Sequence, residues 1–276
     1  MMANFKKALA NKGFVVGGCI FLAIALIALV GPLVWTVDPN AQEMTLRLSA
    51  PSPAHPFGCD DFGRDLLARV IAGARVSLGV GIAVTLATSA LGLVIGAYAC
   101  YNERLDHILM RICDGLMSIP GVLLAIALMA MMGASAWNVI IALSIVYTPS
   151  MARIVRSRAM VVKEEPFVEA LRVQGASTAR IVWLHIVPNV MAPFLVQATF
   201  VFAEAVLSEA ALSFLGLGIK APDASWGNIL QAGKNVMRKA WWMIFFPAAA
   251  IIASVLSLNL AGDGLRDALD PKTKEG

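Results

Sequence analysis

The sequence has few charged residues and lacks the short motifs that mark common enzyme sites. Charged side chains make up 14% of its 276 residues, against 59% hydrophobic ones, whereas soluble domains carry about 25% charged residues. The sequence contains no GxxxxGK[ST] phosphate-binding loop, no HExxH and no GxSxG. The composition therefore excludes an ordinary soluble domain. The sequence offers no candidate for catalysis, and we expect no enzymatic activity on this chain.

Metal-binding and disulfide patterns are also missing. The cysteines Cys19, Cys59, Cys100 and Cys113 form no CxxC pair, and none has a histidine at metal-ligand spacing. We therefore expect free thiols among apolar neighbours, with no metal and no cofactor held by this chain. The net charge of +4 is too small to indicate nucleic-acid binding. Basic side chains in an apolar protein mark topology first.

Long stretches with few or no charges are what the sequence does contain. The first, Phe14 to Val37, has 24 uncharged residues, which is too long for a cleavable signal peptide and enough to span a bilayer. Spans in lipid must satisfy their own backbone hydrogen bonds, so we expect helices. The sequence predicts an all-α integral membrane protein with six transmembrane helices, at about 14–37, 76–100, 113–132, 137–152, 186–212 and 240–262.

The distribution of lysine and arginine predicts the orientation. With six spans both termini share one side, and that side carries fourteen basic residues against eight on the other. Cytoplasmic segments are enriched in basic residues. We therefore expect both termini in the cytoplasm, together with the basic loop of about 153–185.

That loop has the pattern of two short helices. Pro166 after two glutamates suits a first helical turn, Gly175 suits a helix end, and Ser177 or Thr178 suits the cap of a second helix that runs to Pro188. An apolar stripe is expected on the first helix, at Phe167, Ala170, Leu171 and Gln174. The stripe fits either a lipid surface or a groove on a cytoplasmic protein.

Three acidic residues lie inside the predicted spans and are candidates for a translocation pathway. Asp114 and Glu209 lie near span ends, where we expect water or a backbone donor to reach them. Glu204 lies deeper and is expected to face a polar pathway or another subunit. An ion-coupled secondary transporter that uses Glu204 and Asp114 is one alternative, and a membrane scaffold that binds a cytoplasmic protein is another.

The stretch 169–188, EALRVQGASTARIVWLHIVP, resembles the EAA motif of ABC importer permeases. It departs from the motif at Leu171, where the family has alanine, but keeps the glycine and proline spacing. The resemblance implies that this loop is a coupling helix that docks in a groove of an ATPase subunit. The residues that the resemblance assigns to this contact are Phe167, Glu169, Ala170, Leu171, Gly175, Ala176 and Pro188.

Three more stretches, 55–78, 209–230 and 259–271, resemble the dipeptide/oligopeptide/nickel permeases, and in particular their C-type subunit. The resemblance implies a type I ABC importer permease fold in the inner membrane, surrounded by lipid. It also implies a second permease, two ATPases that bind ATP and Mg, and an extracytoplasmic solute-binding protein. Di- or oligopeptides are the first expectation for the substrate, with nickel, glutathione or another small solute as alternatives.

The expected organisation has three parts. Residues 1–75 form an N-terminal segment with the first span and an extracytoplasmic loop. Residues 76–265 form the permease core, with the coupling loop at 153–188, and residues 266–276 form a cytoplasmic tail. We further expect an Asp65–Arg69 ion pair, Trp226 at the headgroup level, and an end to the sixth span at Gly262-Asp263-Gly264.

Overall fold

The computed structural model describes residues 9–269, and within them the regular elements are helices, apart from one isolated bridge between Cys59 and Asp65. Five continuous helical runs are long and apolar enough to cross a membrane, and a bent pair of helices makes a sixth candidate when it is counted as one span. This confirms the all-α membrane fold. The first runs are α1 (Lys12–Val34) and α2 (Leu66–Tyr101), joined by a segment with a 3₁₀ turn at Met44–Leu46.

The third span differs from the prediction of one helix over 113–132. It consists of α3 (Glu103–Met117) and α4 (Gly121–Met132), which meet at 89°. The break falls before Pro120, which lacks an N–H and disfavours helical geometry at Ile119. The sequence contains this signal, but the unbroken lack of charge masked it.

The next elements are α5 (Ala136–Lys163) and α6 (Pro166–Val173). A continuous helical run then extends from Thr178 to Phe214. It comprises α7 (Thr178–Ile181), a π turn (Val182–Ile186) and α8 (Val187–Phe214). The helix of the fifth span therefore starts inside the loop, eight residues before the predicted start of that span at about 186.

The last two helices are α9 (Trp226–Gly233) and α10 (Trp242–Leu269). The helix of the sixth span does not end at residues 262–264, as the sequence predicted, because α10 continues through them. A Cβ on Gly262 would lie 2.5 Å from Thr199 Oγ1, and one on Gly264 would lie 2.6 Å from the backbone N of Phe14. These glycines allow close helix packing rather than ending the helix. Of the predicted tail, residues 266–269 belong to α10, and 270–276 lie outside the described residues, as do Lys6 and Lys7.

The long helix α2 lies at the centre of the bundle. It packs along α5, where a Cβ on Gly92 would lie 2.4 Å from Met151 Cγ and one on Gly96 would lie 2.5 Å from Ala152 O. It also packs against α8, and α1 lies against α10. Small residues at these crossings let the backbones approach, which is how helices associate in lipid.

Trp226, expected at the headgroup level, is covered by protein. Its side chain is 1% exposed, and its indole N–H donates to the carbonyl of Val70 at 3.1 Å. It belongs to a buried cluster that joins α2, α8, α9 and α10. The side chain of Trp226 therefore anchors the short helix α9 to the rest of the protein.

Candidate functional site

The loop between α5 and α8 forms from local signals in its own sequence. Helix α6 begins at Pro166, whose missing N–H costs nothing in the first turn, and Glu169 complements the helix dipole there. Gly175 has a φ of +78°, which a side chain would disfavour, and it reverses the chain after α6. Ser177 Oγ then accepts from Arg180 N and caps α7. The predicted helix, glycine turn and second helix are all present.

One side of the loop packs against the rest of the protein. Val168 is fully buried, and Leu171 and Ala176 are partly buried against a cluster that includes Val155 and Ile181. This corrects the predicted apolar stripe, because Leu171 faces inward. Of the seven residues assigned by resemblance, Leu171 and Ala176 pack against this buried cluster.

Polar contacts also hold the loop against the rest of the protein. Lys163 Nζ donates to the carbonyl of Cys100 at 3.0 Å, and the Arg172 guanidinium lies 5.2 Å from the Tyr101 ring centroid. Trp183 Nε1 donates to Tyr98 Oη at 3.1 Å. The loop is thereby tied to the last turn of α2, as well as being continuous with α5 and α8.

The other side of α6 is exposed. We call Phe167, Glu169, Ala170 and Val173 the outer face; all four are exposed, with Phe167 42% and Val173 85% accessible. Val173 was missed by the sequence reasoning, although its spacing of three residues from Ala170 places both on one side of a helix. An apolar face on a helix held from behind has the form of a docking surface.

Pro188 lies inside the helical run and does not end it, in contrast to the prediction. The π turn before it carries a bond from Val187 N to Val182 O. This wide turn accommodates a proline ring that would clash with the carbonyl four residues earlier in an α-helix. Phe167 and His185 lie near each other here, with ring centroids 6.5 Å apart.

The three acids occupy different environments. Asp114 pairs with Arg153, and Asp106 in the same helix pairs with Arg156, so that α3 is tied to α5. Glu204 is exposed on α8, and among the described residues its carboxylate has no hydrogen-bond or ion-pair partner.

Glu209 is fully buried, and its hydrogen-bond donors are two side-chain hydroxyls rather than the expected water or backbone donor. Its two carboxylate oxygens accept from Ser77 Oγ and Ser213 Oγ, each at 2.7 Å. Ser77 Oγ also accepts from the backbone N–H of Trp226 at 3.3 Å. The carboxylate therefore joins α2, α8 and the start of α9.

The segment before α2 is a compact ionic cluster. Asp60 accepts from Arg64 at 2.6 Å and lies 3.5 Å from Arg69 Nε. Asp65 instead caps α2 by accepting from Ala68 N. The predicted Asp65–Arg69 pair is therefore wrong. Burial, and then the neighbouring Asp60, raise the pKa of the Asp61 carboxyl above its usual value.

Comparison with known proteins identifies a family. Residues 88–275 match the model described as binding-protein-dependent transport system inner membrane component. Residues 4–51 match the N-terminal TM domain of oligopeptide transport permease C.

Full-length relatives agree with these matches. A putative peptide transport system permease protein of Brucella abortus is 46% identical over 98% of this chain and 91% of its own. A dipeptide transport system permease protein of Alkalihalophilus pseudofirmus is 42% identical over 98% and 89%. A probable D,D-dipeptide transport system permease protein of Escherichia coli is 39% identical over 94% and 87%. The chain therefore belongs to the family of binding-protein-dependent transport system inner membrane components, the permease subunits of ABC importers, in which ATP hydrolysis is carried out by separate subunits.

Proposed function

We propose that this permease subunit imports di- or oligopeptides and that the outer face of α6 is its contact with an ATPase. The relatives named for peptides and dipeptides, at 37–46% identity, support the substrate class. The observation that supports the coupling role is that α6 has an exposed outer face and an opposite side buried in the permease. Family membership favours this reading over an ion-coupled transporter or a scaffold.

The proposed complex has five kinds of component. A second, homologous permease encloses the pathway with this chain. Two ATPases hold ATP and Mg on the cytoplasmic face, an extracytoplasmic binding protein delivers the solute, and lipid surrounds the spans. In this arrangement both termini and the loop of α6 lie in the cytoplasm. In this proposal, residues 1–75 form the N-terminal segment, residues 76–265 the permease core and residues 266–276 the tail.

The proposed mechanism is alternating access. Closure of the ATPase pair moves α6, and the buried contacts of Val168 and Leu171 carry that motion to α2, α5 and α8. Shifting a two-state equilibrium from 1:99 to 99:1 takes about 5.5 kcal/mol of differential binding. A loop attached only at its two ends would deform before it transmitted that energy. The buried packing of Val168 and Leu171 is therefore a necessary part of the coupling mechanism.

Among the pathway candidates, Glu204 fits best. An unpaired carboxylate within a span is costly against lipid and suits a wet pathway or a subunit interface. Asp114, which is paired with Arg153, and Glu209, which is held by two serines, occupy positions that suit structural contacts. We therefore assign solute contact to Glu204 first.

The coupling role is tested by placing an acid on the outer face. Val173→Asp, in the tagged chain purified from its native membrane in mild detergent, is expected to lose most of the copurifying ATPase, because a charge is buried without a partner at the contact. Copurified subunits and solute-stimulated ATP hydrolysis are measured together. The second permease is expected to stay bound.

The matched control is Val161→Asp, which changes another exposed valine, 59% accessible, near the end of α5 and outside the outer face. It is expected to keep the ATPase. If Val173→Asp retains ATPase and activity at the wild-type level, α6 is not the coupling contact. Uptake of labelled dipeptide by the complete transporter tests the substrate class separately.

A further inference from the structure

A cavity of about 400 Å³ lies between α5, α8 and α10, at the end of the bundle where the α6 loop is found. Arg158 on α5 and Arg266 on α10 both line this cavity. Among the described residues neither arginine has an ion-pair partner, whereas Arg153 and Arg156, on the same helix as Arg158, are each paired with an aspartate. The rest of the lining is Ile154, Ala192, Pro193, Val196, Gln197, Phe200 and Leu269.

Three of the α8 residues that line the cavity lie on the same side of that helix as Glu204. At 100° per residue, Pro193, Gln197 and Phe200 all lie within about 40° of Glu204 around the helix axis. Ser208, whose Oγ is 2.7 Å from Tyr147 Oη, continues this face on the other side of Glu204. A single face of α8 therefore carries an amide, an unpaired carboxylate and a hydroxyl, and ends at the two arginines.

A helix face with an unpaired carboxylate inside a membrane span is unfavourable against lipid. It is instead suited to a water-filled pathway that a second permease completes. Because the cavity continues this face, we expect a solute from the pathway to fill it. Its volume lies within the range of about 300–1,000 Å³ that is typical of small-molecule sites.

We propose that Arg158 and Arg266 bind the free carboxylate of the transported peptide as it leaves the pathway toward the cytoplasm. This inference rests on the proposed function and deepens it. Guanidinium groups hold carboxylates through paired, charge-assisted hydrogen bonds. Gln197 adds an amide, and Val196 and Phe200 supply an apolar wall for a side chain.

The competing occupant is the phosphate of an anionic lipid, since basic pockets between spans also bind such headgroups. The two sources respond differently to experiment. A solute carboxylate is removed by amidating the peptide, whereas a lipid phosphate is removed by changing the membrane. The test therefore varies both.

The experiment uses the complete transporter reconstituted in liposomes and measures ATP-dependent uptake of trialanine and of trialanine amide. The double variant Arg158→Gln/Arg266→Gln is expected to slow trialanine uptake about tenfold relative to wild type. Uptake of the amide by the variant is expected to match that of the wild type. Comparing variant with wild type for each peptide cancels any preference of the binding protein.

Arg111→Gln is the matched control, because Arg111 lies on α3, outside this cavity, and has no ion-pair partner among the described residues. It is expected to leave uptake of both peptides unchanged. Equal slowing of the acid and the amide by the double variant, or no slowing of either, overturns the proposal. If wild type takes up neither peptide, the peptide assignment itself fails, and this inference fails with it.

The same measurements are made in phosphatidylcholine liposomes with and without phosphatidylglycerol. The discrimination between acid and amide is expected in both membranes. If the effect of the double variant appears only with phosphatidylglycerol and is the same for both peptides, the arginines bind lipid and the proposal is wrong.

Discussion

Glu204 and Glu209 lie five residues apart on α8 and have opposite surroundings. Glu209 is enclosed and accepts two hydroxyl hydrogen bonds, whereas Glu204 is exposed and its side chain has no partner within residues 9–269. A buried, fully bonded carboxyl holds helices together, and an unpaired exposed one is available to a solute or a subunit. The type of residue is the same, so only the fold distinguishes the two roles.

Glu209→Ala is expected to destabilise the protein by about 3 kcal/mol. The change leaves a cavity and removes the acceptor from the buried hydroxyls of Ser77 and Ser213. The measurement is the thermal unfolding midpoint of the purified complex in detergent, followed by loss of its monodisperse chromatographic peak.

Glu204→Ala is the matched control on the same helix. We expect its unfolding midpoint to stay close to wild type while solute uptake falls. If Glu204→Ala proves as unstable as Glu209→Ala, then Glu204 has a structural role in the assembled transporter and our assignment of it to the pathway is incorrect.

At the scale of the helix, the contact between α1 and α10 depends on small residues. A Cβ on Gly17 would lie 2.4 Å from the carbonyl oxygen of Ser257, so the two backbones are in direct contact there. The neighbouring Gly18 has no heavy atom within 4 Å of the same position. The first span is thus joined to the core through one face, as expected for association in lipid.

Gly17→Leu is therefore expected to displace α1 from α10, with lower thermal stability and faster proteolysis before α2. Gly18→Leu makes the same chemical change one residue away and is expected to have little effect. Limited proteolysis in proteoliposomes measures the difference. Equal resistance of both variants would show that α1 does not depend on this contact.

The elements that were predicted correctly are those that local signals determine. Pro166, Gly175 and Ser177 specify the α6 loop through a first-turn proline, a positive φ and a cap, none of which needs a distant partner. The break of the third span was lost because Pro120 was outweighed by the uncharged run around it. Helix α10 was cut short because glycines that serve packing look the same in sequence as glycines that end helices.

At the scale of the whole molecule, the sequence indicated the number of spans and the family but not the three-dimensional neighbours. Burial of Glu209 and Trp226 depends on α9 folding back between α2 and α8, which no periodicity shows. Leu171 was placed outward because a lone helix does not reveal which apolar side is covered. The Arg158–Arg266 cavity joins helices more than one hundred residues apart in sequence, and only the fold brings them together.

The orientation of the whole chain is tested by cysteine labelling. Ala54→Cys and Ala179→Cys each place a thiol at an exposed position in a loop or at a helix start, on opposite sides of the predicted membrane. The background carries Cys19→Ser, because Cys19 is exposed while the other three cysteines are buried. Burial, and then Asp65, raise the pKa of the Cys59 thiol to about 11, so it contributes little reactive thiolate.

In intact cells with a permeable outer envelope, a membrane-impermeant maleimide is expected to label Ala54→Cys and not Ala179→Cys. Both are expected to react once the membrane is opened, which controls for accessibility. That result would place the α6 loop on the cytoplasmic side, which the proposed ATPase contact requires. Labelling of Ala179→Cys in intact cells would show that the chain has the opposite orientation. The α6 loop would then lie outside the cytoplasm and could not contact an ATPase.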